Sequence, residues 1–332
     1  MRACSLRRRG IPAVFLLLAL CGVQPAHAYS HFTLFEGTRL QWETPRVRWF
    51  ATERGATGVS ATDFQASLIR AFATWEAVPT ATIAFEFVGF TSAQPHEDDG
   101  LSVFGFLDQP EMERVLGATT FVVDILTGEI VESDVFFNSA FAWSTTGASD
   151  RFDLQSVAVH EIGHFVGLGH SAIGETELRP DGSRRALASA AVMFPISLGR
   201  GSTGDRELQP DDIAGVSDLY PDRDFRAATG GVRGRVRRGN RAALGAHVVA
   251  FNIKTGTLTG GFAIGDEGEF QIRGLSPGAY VIRVEPLDDA AVDSFFSGHG
   301  IDVDFQVTFH PRLLVAPAGG VGESVDVVVR PK

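Results

Sequence analysis

The stretch His-Glu-Ile-Gly-His-Phe-Val-Gly-Leu-Gly-His, residues 160–170, gathers three of the chain's nine histidines and one glutamate. On an α-helix, residues four apart lie on one face about a turn apart. His160 and His164 can therefore turn their rings toward one ion, with Glu161 beside them and off the metal. The helix must then stop so that His170 can swing in, and Gly167 supplies the permissive backbone for that turn. Three neutral imidazoles and one open position describe a catalytic zinc site, because structural zinc sites are closed by a fourth protein ligand. The chemistry of such a site is attack by an activated water on a carbonyl, with Glu161 as general base. The plainer reading is a core helix that carries three satisfied histidines. Downstream, Ala-Val-Met-Phe-Pro (191–195) offers Met193 as a floor beneath the metal.

These residues need a scaffold. Asp153 is placed to cap a helix that begins at Leu154, and Pro210 to start a last helix through Tyr220. Residues 60–78 form an amphipathic pattern, with Ser60 or Thr62 as cap and Phe64, Leu68, Ala71, Phe72 and Trp75 on the buried face. Strand patterns fall at 46–50, 82–90, 101–107, 117–124 and 132–138, the last two joined through a turn at Thr127-Gly128. That order predicts an α+β domain with a mixed sheet. From about 230 onward the texture changes to short strands at 232–236, 247–252, 262–264, 270–272, 280–284 and 325–329, which predicts an all-β sandwich.

The first 28 residues carry Arg2, Arg7, Arg8 and Arg9, a short apolar run and a final Ala-His-Ala. They read as a secretory signal peptide (1–28), which places the mature protein outside the cell or in a periplasm. Leu20 stands where a lipid-anchor motif before Cys21 wants a small residue, which argues against lipidation. Both cysteines lie in that leader, so the remainder has no disulfide. Four of the 29 basic residues lie there too, leaving 25 against 40 acidic residues, a balance of −15. Nucleic acid and anionic membrane are disfavoured as partners, and no later run is apolar enough to predict a membrane span. The predicted organisation is a domain carrying the zinc motif over 29–221, a linker over 222–231 and a β-sandwich over 232–332. The linker holds Pro221 nearby, several charges and two glycines, so the halves are expected to separate on proteolysis, the first working alone.

With the zinc motif and Met193 in place, the chain resembles the matrixins, a metzincin family that includes the matrix metalloproteinases. Phe-Thr-Leu-Phe-Glu-Gly-Thr-Arg-Leu-Gln-Trp (32–42), Ala-Phe-Ala-Thr-Trp-Glu-Ala-Val (71–78) and the helix at 211–221 are similar to matrixin segments. Ser171 fits matrixins, where astacins place Glu and serralysins Pro, and Phe194 stands where those two families carry a tyrosine. The resemblance implies a twisted five-stranded mixed sheet with an active-site helix beneath it. It implies a zinc endopeptidase that holds one Zn2+ on His160, His164 and His170, with Glu161 catalytic. It also implies an extended polypeptide substrate paired to the edge strand at about 117–123. Only His96 occupies the region of the second, structural zinc of animal matrixins, so none is expected. Calcium stays open at 96–100 and at the turn of Asp124. The long segment after His170 is expected to form a surface loop near the cleft. The freed amino terminus is expected near Asp211 or Asp212. The second half resembles the carboxypeptidase regulatory-like sandwich and is left open as a binder of protein or carbohydrate surfaces; a monomer is expected. His247, His299 and His310 read as structural. The rival from another class is a non-catalytic adhesion or matrix-binding protein with a structural zinc.

Overall fold

A computed structural model of the chain describes residues 4–6, 30–34, 38–44, 46–296 and 300–332. The signal-peptide expectation therefore lies almost wholly outside the described residues, as does His299.

The first half is a sheet with helices packed against it. Strand β1 (Arg46–Thr52) buries Val47, Trp49 and Ala51 on alternate positions, as a half-covered strand should. Helix α1 (Ala61–Glu76) starts at Ser60, whose side chain accepts from the Asp63 N–H, and buries Phe64, Leu68, Ala71, Phe72 and Trp75. Strands β2 (Ala84–Thr91) and β3 (Val103–Leu107) run parallel to β1 on either side of it. Strand β4 (Gly117–Val123) is antiparallel to β5 (Ile130–Asn138), which runs parallel to β3. The resulting order is β4-β5-β3-β1-β2. The sheet differs from a five-stranded one in a single respect. The backbone of Cys4–Leu6 adds a sixth, short strand along the outer edge of β4, in parallel register with Phe121–Val123. An open edge presents unpaired N–H and C=O groups that template such an addition. The core under the sheet is aromatic: Trp49 stacks on Phe72 at 4.4 Å, and Phe104 meets Phe165 at 5.3 Å.

Helix α2 (Leu154–Phe165) crosses beneath this sheet and packs against α1, whose Trp75 indole donates to the Val159 carbonyl at 2.9 Å. After it, the segment expected as a surface loop forms a two-stranded hairpin, β6 (Gly174–Leu178) with β7 (Arg184–Ser189). Its tip turns at Gly182 with φ +76°, while Asp181 accepts from the Ser183 N–H. Helix α3 (Pro210–Leu219) closes the half.

The stretch at 222–231 is structured. Phe225–Ala228 forms a helical turn with Phe225 buried, and strand β8 (Gly230–Arg238) begins at once. Strands β9 (Ala246–Asn252), β10 (Leu258–Ala263), β11 (Glu269–Leu275), β12 (Gly278–Glu285) and β13 (Gly320–Val329) follow. They form two sheets, β8 between β11 and β13, and β9 between β10 and β12. Their shared core is mostly aliphatic, with Val232, Val236, Val248, Ile272, Ile282 and Val284 buried around Phe270, Tyr280 and Phe305. The pairing of β8 with β13 is parallel and joins the first and last strands of this half.

Candidate metal centre

The N-terminus of α2 is fixed twice. Asp153 accepts from the Ser156 N–H at 2.9 Å, and its carboxylate takes both the Nε and an Nη of Arg206, at 2.9 and 2.6 Å. This satisfies an orphan donor and places negative charge at the positive end of the helix dipole. The C-terminus is fixed by side chains from far away. The Trp42 indole donates to the Phe165 carbonyl at 2.8 Å, and the Tyr220 hydroxyl to the Val166 carbonyl at 2.8 Å. These groups occupy carbonyls that a helix end otherwise leaves without partners. Gly167 then turns the chain with φ +100°, and a Cβ there would collide with the Leu40 carbonyl, so the position needs glycine on both counts.

That turn delivers His170 to His160 and His164. The potential ligand atoms of the three residues all lie within 4.8 Å of one another, and Nε2 of His164 is 3.2 Å from Nε2 of His170. Each Nδ1 meets a backbone carbonyl: His160 that of Val192 at 2.7 Å, His164 that of Leu168 at 2.8 Å, and His170 that of Ser294 at 2.6 Å. A carbonyl only accepts, so each Nδ1 carries the proton and each Nε2 is left with a lone pair. Burial holds the three rings neutral by pushing their pKa values down, His164 well below its ordinary value and His170 to about 3. Neutral, convergent imidazole nitrogens are the donor set that fits zinc. Among the described residues this is the one gathering of three or more metal-ligating side chains.

Glu161 is buried next to this cluster, outside it, on the side of the edge strand. Its Oε2 accepts from the Thr119 hydroxyl at 2.8 Å. Burial pushes its carboxyl up to about 7, with the Thr119 hydroxyl opposing. A group balanced there can take and return a proton near neutral pH. Met193 is buried under the site, and a Cβ on Gly163 would strike its Sδ, so the glycine in the helix lets the methionine pack against it. The Met193 turn is anchored by Asp212, which accepts from the Val192, Met193 and Gln209 N–H groups at 2.8, 3.1 and 2.9 Å.

Other sequence-read residues fall as follows. Ser171 donates to Asp211 at 2.6 Å, and Phe194 is buried against Gly174 of the hairpin. Ser30, two residues beyond the expected leader, lines a small cavity with Asp211, Asp212 and Gly215, and its carbonyl accepts from the Gly169 N–H. His96 packs edge-on against Phe136 at 5.0 Å. In the acidic 96–100 region, the carboxylates of Asp134 and Glu132 accept from the N–H groups of His96, Val103 and Gly100. His247 pairs with Glu285 at 2.9 Å inside the sandwich. Sequence reasoning did not find Thr119, the anchoring by Asp212 or the carbonyl of Ser294. Thr119 meets Glu161 across 42 residues and Ser294 meets His170 across 124, with nothing local to mark either. Asp212 has one local sign, its acceptance from the Gln209 N–H three residues before it at the start of α3.

Comparison with known proteins agrees with this geometry. The Matrixin family model matches residues 41–221. Metalloendoproteinase 1-MMP of Arabidopsis thaliana is 30% identical over 209 residues, covering 58% of this chain and 48% of that protein. Metalloendoproteinase 1 of Glycine max is 30% identical over 172 residues, 47% of this chain and 45% of that protein. Matrilysin of Rattus norvegicus is 34% identical over 91 residues, 27% of this chain and 28% of that protein. The chain thus spans less than half the length of these relatives. A family match over more than half of the chain, on a site whose three histidines converge on an Nε2 donor set, makes this chain a member of the matrixin family.

Proposed function

We propose that this chain is a secreted zinc endopeptidase that hydrolyses peptide bonds of extracellular proteins. The observation that carries the reading is the donor set itself, three Nε2 atoms aimed together with every Nδ1 occupied and a buried carboxylate beside them. A zinc ion held by His160, His164 and His170 would supply Lewis acidity there, favouring ionisation of a nearby water and polarisation of a substrate carbonyl. Glu161 takes the proton of the attacking water and returns it to the leaving amine; Thr119 keeps the carboxylate aimed. No acyl-enzyme forms, since the nucleophile is water. The edge of β4 holds an extended polypeptide by backbone pairing, a role supported by the strand that Cys4–Leu6 adds there. The plant relatives are named metalloendoproteinases, which points the same way. A purely structural zinc has no use for a base at its side, so Glu161 speaks against the non-catalytic alternative.

Residues 29–221 form the peptidase unit in this reading, 222–231 the connection and 232–332 the carboxypeptidase regulatory-like sandwich. Secretion follows from the leader, and no helix of the described residues is long and apolar enough to cross a membrane. The test is digestion of casein or gelatin by the purified chain with zinc and with a chelator, followed by cleavage-site profiling on a peptide library. Zinc-dependent cleavage at internal bonds is expected. A zinc-loaded, folded chain that cuts neither substrate nor library would overturn the reading.

A further inference from the structure

We infer that the C-terminal sandwich is a working part of the metal centre: Ser294 and Phe295 seat the third ligand, His170. The inference rests on the zinc site proposed above and goes beyond it, because it assigns one wall of that site to the other half of the chain.

The three histidines differ in what holds them. His160 and His164 take their Nδ1 acceptors from the peptidase half, at Val192 and Leu168. His170 takes its acceptor from Ser294, 124 residues away, at 2.6 Å, the shortest of the three. The next residue, Phe295, sets its ring edge-on to the His170 imidazole, with centroids 6.0 Å apart. An imidazole on a turn has two torsions free. A hydrogen bond at one end and a ring against its side remove both, which fixes the tautomer and the aim of Nε2.

The segment that provides these contacts is itself anchored. Phe262 of β10 packs against both Phe295, at 5.6 Å, and Phe296, at 5.2 Å. Phe262 shares a buried cluster with Leu287 and with Ala172, two residues beyond the third histidine. Two hydrogen-bonded links flank the cluster. Ser171 donates to Asp211, whose other oxygen accepts from the Gly260 N–H at 2.8 Å. Thr176 of the hairpin donates through its N–H to the Asp289 carboxylate at 2.9 Å. Residues 170–176 are thus gripped along their length by the sandwich. The expectation that residues 29–221 work alone meets this arrangement directly, because cutting the chain at the connection would leave His170 without its acceptor.

The test uses the full chain, stripped of metal and titrated with zinc against a chromophoric chelator. Phe295→Ala and Phe262→Ala are each expected to weaken zinc binding by roughly tenfold, the size of effect seen when groups supporting a metal ligand are removed. Phe295→Leu, which keeps an apolar body against the ring, should recover most of the loss. Val327→Ala, a truncation in the opposite sheet of the sandwich, should lower the melting temperature and leave zinc affinity at the wild-type value. If Ala at 295 prevents folding, Ser294→Gly, which frees only the backbone that aims the carbonyl, is read by the same measure. Wild-type affinity in Phe295→Ala and Phe262→Ala, or in Ser294→Gly where it stands in, overturns the inference, and so does an equal loss in Val327→Ala. A chain that binds zinc but cuts no peptide would sink the peptidase reading and leave this one standing.

Discussion

Glu161, beside His160, and Asp212, which holds the turn whose Val192 carbonyl meets His160, are both buried carboxylates, and burial pushes both upward, to about 7 and about 6. Their surroundings separate them. Asp212 accepts three backbone N–H groups, two from the Met193 turn and one from the start of α3. Among the described residues, Glu161 receives one hydroxyl, from Thr119, and lies against the edge strand at Gly117. The saturated acid is a fastener, since every donor around it is a piece of backbone to be held. The sparsely bonded one keeps capacity to accept a proton. Burial alone therefore does not identify a reactive acid; the number and kind of its donors do.

The comparison can be broken most sharply at Glu161. Glu161→Gln should lower kcat/KM by about 10²–10⁴-fold while keeping about one zinc per chain, measured by peptide hydrolysis and metal analysis. Near-wild-type turnover would end the distinction. Asp212→Ala should act on folding, since it strands three backbone donors that cost about 1–3 kcal/mol each when left unmade. Chemical denaturation should show a loss on the order of 3 kcal/mol, with residual activity tracking the folded fraction.

A third measurement sharpens the fastener side. Asp211, next to Asp212, is pushed up to about 7, first by burial and then by its neighbour's charge. Its folded pKa is raised above the unfolded value, so the stability it contributes is complete below about pH 4 and is lost as pH rises through about 7. The metal-free chain should become less stable from about pH 5 to pH 8, and Asp211→Asn should flatten that slope. A slope of the opposite sign in the wild type, unchanged by the substitution, would contradict this. The smallest effect is expected from Thr119→Val, which removes the hydroxyl that donates to Glu161. A fall in kcat of roughly tenfold or less with KM unchanged would mark Thr119 as positioning the base, whereas a KM effect alone would assign it to substrate binding.

Much of this site was legible in the sequence, because its central pieces are local. The i, i+4 histidines, Gly167 and His170 sit within one helix and one turn, and the cap at Asp153 is adjacent to the residues it serves. The buried face of α1 followed from its 3.6-residue period in the same way. The supports were hidden because they are distant in sequence and of ordinary type. Thr119 is one of two threonines in a strand, and the groups that hold His160 and His170 are carbonyls, which every residue has. From sequence the hairpin at 174–189 reads as a loop because its Arg-Pro-Asp-Gly-Ser-Arg-Arg centre is charged and turn-rich. Its strands show no apolar alternation, since their side chains are mostly exposed or half-buried. The parallel joining of β8 and β13 has no local signal at all.

The end of α2 has a consequence for the order in which this protein takes shape. Its last carbonyls are completed by Trp42, which lies 123 residues before its acceptor, and by Tyr220, which lies 54 residues after its own. Contacts that distant close large loops and form late in folding, after the intervening chain has been made and collapsed. As the nascent chain emerges, the histidines of α2 leave the ribosome well before the tyrosine that finishes their helix. Completion of α2 is in this way deferred until the chain through Tyr220 is present, so a polypeptide stalled before Tyr220 lacks one of the two locks on the helix that carries His160 and His164.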